Sequence, residues 1–165
     1  MRFRSLIPYA AVTALAIASD QAIKQWVESN LPLQEKVDML PFLALYRTYN
    51  TGVAFSMFES IGSFGLIAIS AAVILFVLFL ATRTPPQQVV ARIGFALIVG
   101  GALGNIVDRA VHGYVIDYIL FHTPVWSFAV FNLADALISV GAGLVLIEEL
   151  LVWRNARAEA GRSHD

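Results

Sequence analysis

The stretch Ile61–Ala81, IGSFGLIAISAAVILFVLFLA, carries no charged side chain and is apolar on every side of a helix, so it reads as a helix wrapped in hydrocarbon. Crossing about 30 Å of bilayer core takes roughly 20 helical residues, which this stretch supplies. Working outward, apolar segments of similar length occupy 6–26, 89–110 and 128–151. The whole chain has 165 residues, 58% hydrophobic and 14% charged, with a mean hydropathy of +0.72. That composition excludes an ordinary soluble domain and fits a four-span integral membrane protein. A net charge of -1 points to no nucleic acid or other charged partner.

Between the first two spans, about 33–58, the runs Val37-Asp-Met-Leu and Phe42-Leu-Ala-Leu-Tyr-Arg-Thr-Tyr favour strands, punctuated by Pro32 and Pro41. This predicts a small sheet resting on the membrane surface. Arg83 and the Pro85-Pro86 pair lie in the next loop, Arg92 follows, and the termini carry Arg2, Arg4, Arg154, Arg157 and Arg162. Positive charge marks the cytoplasmic side, so both termini are expected there, with 33–58 and the loop 112–127 outside. The segment 1–153 is then one membrane domain and 154–165 a cytoplasmic tail. Arg2, Arg4, the apolar run Leu6 to Ser19 and Ala16-Ile-Ala18 also fit a cleavable leader, whose loss would leave three spans.

The absence of cysteine removes disulfides, thiolate ligands and a thiol nucleophile. His112, His122 and His164 lack the spacing of a zinc site, and no metal or cofactor is expected. Chemistry therefore falls to the carboxylates. Asp117 and Asp135 sit in the apolar runs Val115-Ile-Asp-Tyr-Ile-Leu and Phe131-Asn-Leu-Ala-Asp-Ala. An acid at the centre of a membrane helix costs roughly 3 kcal/mol, so such acids have either partners or a function. The four-span threading brings Asp20, Asp108, Asp117 and Asp135 to one level near the outer interface.

Gly104, Asn105, Asp108 and Arg109 share a helix face, Gly100-x-x-x-Gly104 permits close helix approach, and Asn132, Asp135 and Ser139 form a second polar stripe. Interhelical hydrogen bonding alone accounts for such stripes. Asp108 and Arg109, being adjacent, are expected to pair elsewhere, with Arg109 neutralising the surroundings of Asp20 or Asp108 or meeting a lipid phosphate. Asp117 and Asp135 have no cation in their own motifs. Two carboxylates brought together in an apolar site share a proton, the arrangement by which one activates water and the other protonates a carbonyl oxygen. A turn-capping role for Asp117 and a hydrogen-bonded structural role for Asp135 account for the same residues.

Five motifs in order, Asp20-Gln21, Asn50-Thr-Gly52-Val-Ala54-Phe55, Gly100-Gly-Ala-Leu-Gly104-Asn105-Ile-Val-Asp108-Arg109, Val115-Ile-Asp117-Tyr and Phe131-Asn132-Leu-Ala134-Asp135-Ala, resemble those of the bacterial lipoprotein signal peptidases, the signal peptidase II family. The resemblance runs from residue 6 to about 152. It implies a membrane all-α fold, a four-helix bundle with an extracytoplasmic β-sheet cradle and a flap-like outer loop at 112–127. It also implies an aspartic endopeptidase of the inner membrane, active near the outer face, that cleaves prolipoproteins after their cysteine has been lipid-modified. Asp117 and Asp135 fall on the family's catalytic pair. Asp20, Asn50, Gly52, Asn105, Asp108, Arg109 and Asn132 match its supporting and substrate-orienting positions. Prolipoprotein and membrane lipid are the implied partners of a monomer that binds no nucleic acid.

Four other functions are weighed against this one, and the serine–lysine chemistry of signal peptidase I is set aside first, because Ser19 and Ser29 alone lie near a lysine, flanking Lys24 without the expected context. An ion-coupled carrier would give flux without a peptide product. A metal-dependent lipid headgroup transferase would lose activity with a chelator, and its Asp-Gly-x-x-Ala-Arg type element is missing. An assembly factor leaves the five ordered motifs unexplained.

Overall fold

The computed structural model describes residues 6–52 and 62–162 of the chain. Val53, Ala54 and Phe55 of the second motif, the end of the expected sheet region, Arg2, Arg4, His164 and the side chain of Arg162 lie outside the described residues. Four helices and four strands follow in the order α1 (Ile7–Asn30), β1 (Lys36–Leu40), β2 (Leu43–Asn50), α2 (Gly62–Arg83), α3 (Val89–His112), β3 (Val115–Thr123), β4 (Trp126–Ser127) and α4 (Leu133–Arg162).

Among the described residues α2, α3 and α4 are long and apolar enough to cross a membrane. On α2 the side chains of Phe64, Leu75 and Phe76 are 89%, 68% and 60% exposed, an apolar surface that water does not tolerate and acyl chains do. The first expected span is a helix of 24 residues, but Asp20, Gln21 and Lys24 set it apart from the other three. Its buried residues, Ala16, Asp20, Lys24 and Val27, lie on one narrow stripe that is polar in its middle, at Asp20 and Lys24, and apolar at both ends.

Helix α3 is the hub, packed against α1, α2 and α4. Ile74 and Val77 of α2 meet Ala91, Phe95, Ile98, Val99 and Ala102 of α3 in one apolar cluster. Small residues set the other two contacts. A Cβ on Gly100 would lie 2.6 Å from Ala16 Cβ, and one on Gly94 would lie 2.6 Å from the Gly141 carbonyl oxygen. Thr13 Oγ1 adds a 3.1 Å hydrogen bond to the Ala96 carbonyl across α1 and α3. The Gly100-x-x-x-Gly104 element thus seats α1.

The strands form one antiparallel sheet, ordered β1-β2-β3-β4. The strand propensity of 36–50 is realised as β1 and β2. The segment 112–127, expected as a flap-like loop, contains strand β3, which pairs with β2 through Thr48↔Asp117, Tyr49↔Ile116 and Asn50↔Val115. Its β-branched and aromatic residues find a ready partner edge, and Gly113, at φ +84° in the left-handed region that favours glycine, ends α3 at His112. Ile116 and Tyr118 pack on Val27 near the end of α1, and Arg47 Nη1 donates to the Glu28 carbonyl at 2.6 Å. The sheet is therefore fastened to α1.

The fourth apolar segment also needs correction. Helix α4 begins at Leu133 and not near Phe128, because Phe131 exchanges backbone hydrogen bonds with Ile119 and its ring, with those of Phe121 and Phe128, belongs to an aromatic cluster at the sheet. At its other end α4 continues to Arg162, so the expected tail is helical over most of its length. Thirty residues make a rod of about 45 Å, longer than the hydrocarbon thickness.

Candidate active site

Three elements converge on the first turn of α4. A helix start leaves its first backbone N–H groups without intrahelical acceptors, and burying them unpaired is costly. Here each is met by a side chain. The Leu133 N–H donates to the Tyr118 hydroxyl of β3 at 3.2 Å, the Ala134 N–H to Asp20 Oδ1 of α1 at 3.0 Å, and the Asp135 N–H to Asn132 Oδ1 at 3.0 Å. Asp135 Oδ2 reciprocates by accepting the Asn132 N–H at 3.3 Å. Asn132 and Asp135 thus form a capping box, with asparagine at the N-cap and aspartate three residues on.

Asp20 is fully buried, as are Lys24, Asp108, Asp117 and Asn132. Lys24 Nζ lies 2.8 Å from Asp20 Oδ2 and 2.8 Å from Asp108 Oδ2, and it donates to Asn105 Oδ1 at 2.9 Å. All three ammonium protons are used. Gln21 Nε2 donates to Asp108 Oδ1 at 2.8 Å, and Asp108 Oδ2 accepts the Ile116 N–H at 3.2 Å. The pairing expected of Arg109 is therefore made by Lys24. Among the described residues no carboxylate is within 4.0 Å of the Arg109 guanidinium, whose Nη1 reaches the Asn105 carbonyl at 3.5 Å and whose buried Nε has no partner. The sequence signal for Lys24 as the partner is its spacing of four from Asp20, that of an ion pair on one helix face. Tyr118, a lone tyrosine beside Asp117 in sequence, carries no sequence signal of a cap.

The two acids singled out by their apolar runs meet through asparagines. Asn132 Nδ2 donates to Asp117 Oδ1 at 2.6 Å and to Asn105 Oδ1 at 3.2 Å, while Asn105 Nδ2 donates to Asp135 Oδ1 at 2.8 Å. Asn50 Nδ2 reaches Asp117 Oδ2 at 2.9 Å, and its own Oδ1 accepts the Gly52 N–H at 2.8 Å. Gly52 sits at φ +92°, which admits glycine without strain, and a Cβ there would run into Leu66 of α2. Asp117, Asp135, Asp20, Asn50, Gly52, Asn105, Asp108 and Asn132 thus belong to one hydrogen-bonded group, with Arg109 at its edge. Ser139 does not join it: exposed, it donates back to the Asp135 carbonyl at 2.8 Å.

Asp117 lies mid-strand and caps no turn. Burial pushes its carboxyl up to about 6, Asn50 and Asn132 pull it down by hydrogen bonding, and the nearby Asp135 raises it. A carboxyl titrating close to neutrality exchanges its proton at little cost. Tyr118, outside the membrane spans, is driven up to about 12, chiefly by burial, and so remains a neutral phenol. No group of three or more histidine, aspartate or glutamate side chains suited to a metal ion occurs among the described residues.

A family model described as signal peptidase (SPase) II matches residues 12–151. A lipoprotein signal peptidase of Mesorhizobium japonicum is 66% identical over 157 residues, covering 95% of this chain and 94% of that protein. One from Brucella ovis is 58% identical over 146 residues, covering 88% and 91%. A bacterial membrane enzyme solved by the in meso method at 2.3 Å resolution shares the fold with a TM-score of 0.79 at 22% identity over 90% of both chains. A second, at 1.9 Å, has a TM-score of 0.78, also at 22% identity, over 87% of this chain and 92% of that one.

Proposed function

The chain belongs to the signal peptidase II family, and on that premise we propose that it is an aspartic endopeptidase that removes the signal peptides of diacylglyceryl-modified prolipoproteins within the membrane. The observation that carries the reading is the joining of Asp117 and Asp135 through the single side chain and backbone of Asn132, with Asp117 titrating near neutrality. Asp135 takes the proton of an attacking water. Asp117, the carboxyl held near neutrality, donates its proton to the scissile carbonyl oxygen; as the tetrahedral diol collapses, Asp117 takes a hydroxyl proton back and Asp135 passes the water-derived proton to the leaving amine. Arg109, free of any carboxylate partner among the described residues, together with Asn50 and Asn105, orients the substrate backbone and the dyad.

In this reading α1 is the fourth span, its polar stripe turned toward α3 and α4 and its other sides toward lipid. Both termini are cytoplasmic, the sheet is a cradle on the outer face of the inner membrane, and β3 carries Asp117 to the level at which a signal-peptide helix ends. The enzyme acts as a monomer, without cofactor, on a substrate that brings its own lipid-modified cysteine. The carrier alternative fits less well, because the acids gather at one end of the bundle and leave no relay across it.

The test is to incubate the purified protein with a diacylglyceryl-modified prolipoprotein and read the product by mass. Cleavage on the N-terminal side of the lipidated cysteine is expected, unaffected by chelator and abolished in folded Asp117→Asn and Asp135→Asn. Wild-type turnover by either variant refutes the dyad, and loss with chelator refutes a metal-free mechanism.

A further inference from the structure

Lys24 is a fully buried lysine that the dyad chemistry leaves without an assigned task, and it makes no contact with either proposed catalytic acid within ion-pair distance among the described residues. Two acids would suffice to neutralise it, yet its third proton goes to Asn105 Oδ1 at 2.9 Å. That bond has a directional consequence. An ammonium only donates, so the face of the Asn105 amide toward Lys24 has to be the carbonyl oxygen, and the NH2 is forced to the opposite side. There it delivers a hydrogen to Asp135 Oδ1 at 2.8 Å. The reversed amide would set NH2 against the ammonium and against Asn132 Nδ2, and a carbonyl against a carboxylate.

We propose that Lys24 is a positioning residue for the cleavage reaction, acting through Asn105: it locks the amide of Asn105 so that its N–H points at Asp135. The inference rests on the reading of Asp117 and Asp135 as the catalytic pair. Lys24 stands at the head of a one-way sequence of hydrogen bonds, Lys24 to Asn105 to Asp135, with Asn132 feeding both Asn105 Oδ1 and Asp117 Oδ1. Asn50 is set in the same manner by the Gly52 N–H, so each amide that touches a dyad carboxylate from the side has its sense imposed by a neighbour that can only donate. Charge neutralisation of Asp20 and Asp108 is the first office of Lys24, and aiming Asn105 is the second.

The two offices separate in a double-mutant cycle. Removing Lys24 alone strands two buried acids, so the cycle is run in an Asp108→Asn background, where Lys24→Met leaves the same net charge as the native triad. Cleavage of a diacylglyceryl-modified prolipoprotein is measured for that background and with Lys24→Met, Asn105→Ala and both added. Lys24→Met is expected to lower kcat about tenfold or more while KM moves less than about twofold, and to add less than about twofold once Asn105 is alanine. Lys24→Gln, which keeps a neutral N–H donor, recovers several-fold of the lost kcat. Losses that multiply across the cycle, an unchanged kcat, or no recovery with glutamine overturn the proposal. Asp117→Asn is run alongside: if it is inactive while the cycle is additive, only the positioning role fails, and if it is active the dyad and the role resting on it fall together.

Discussion

Replacing Gly104 by alanine puts a Cβ 2.6 Å from Asp20 Oδ2, about 0.8 Å inside the 3.4 Å at which ordinary contact begins. Asp20 has little room to yield. The same Oδ2 is 2.8 Å from Lys24 Nζ, Oδ1 accepts the Ala134 N–H at 3.0 Å, and the residue is 0% exposed. Either α1 and α3 move apart or Asp20 gives up part of one charge-assisted bond. Overpacking of this kind costs about 1–3 kcal/mol, and weakening a buried bond to a charged group adds about 1–2 kcal/mol, for an expected loss of about 2–5 kcal/mol. Gly143 of α4 is the matched control. A Cβ there meets nothing within 4 Å, so alanine is expected to be neutral or to stabilise by about 0.5–1 kcal/mol through helix propensity. Thermal unfolding of the two variants in detergent micelles, with prolipoprotein cleavage measured alongside, checks the pair. Gly104→Ala should melt several degrees below wild type with cleavage reduced, because Asp20 also caps the turn that bears Asp135. Equal melting of Gly104→Ala, Gly143→Ala and wild type would show that Asp20 is not wedged against α3 and would refute the reasoning.

Other expectations follow from the same bonds. The Asp117 carboxyl titrates at about 6 in the folded protein against 3.8 unperturbed, so its stabilising contribution is full below about 3.8 and is lost as pH rises through about 6, a loss of about 3 kcal/mol. The unfolding midpoint of wild type relative to Asp117→Asn should fall between about pH 4 and pH 7, and parallel profiles would count against a buried, proton-sharing Asp117. Asn132→Ala removes a helix cap and two buried side-chain donor contacts, so a loss of about 2–3 kcal/mol and of cleavage is expected by the same melting and product assays. Ser139→Ala, on the same stripe in sequence, should stay within about 0.5 kcal/mol and cleave normally.

The helices were legible because lipid imposes a pattern that needs no tertiary knowledge: GSFGLIAISAAVILFVLFLA is helical by length and composition alone. The strands β1 and β2 were legible from their residue types. Phe128 to Phe131 misled, since hydropathy sums side chains without asking which element owns them, and these rings belong to the sheet. Segment 115–123 reads as loop for a related reason, its strand character being fixed by a partner edge some 70 residues away in sequence. The acids could be read from the cost of burying them, and the ordered motifs named their company. Which cation served which acid could not, because Arg109 is next to Asp108 in sequence while Lys24 is next to it only across two helices. Pairing depends on helix azimuth, and a one-dimensional pattern does not contain it.

The three caps on the first turn of α4 have a bearing on how the enzyme is made. They come from α1, from β3 and from the residue preceding the helix, and β3 lies late in the chain between two spans. An uncapped helix start in a dry setting is unfavourable, so the turn bearing Asp135 gains its full set of partners only after the sheet has closed over α1. On the proposed reading, the same docking that caps this turn brings Asp117 of β3 and Asp135 of α4 onto one asparagine, so completing the helix cap and completing the acid pair share one set of contacts.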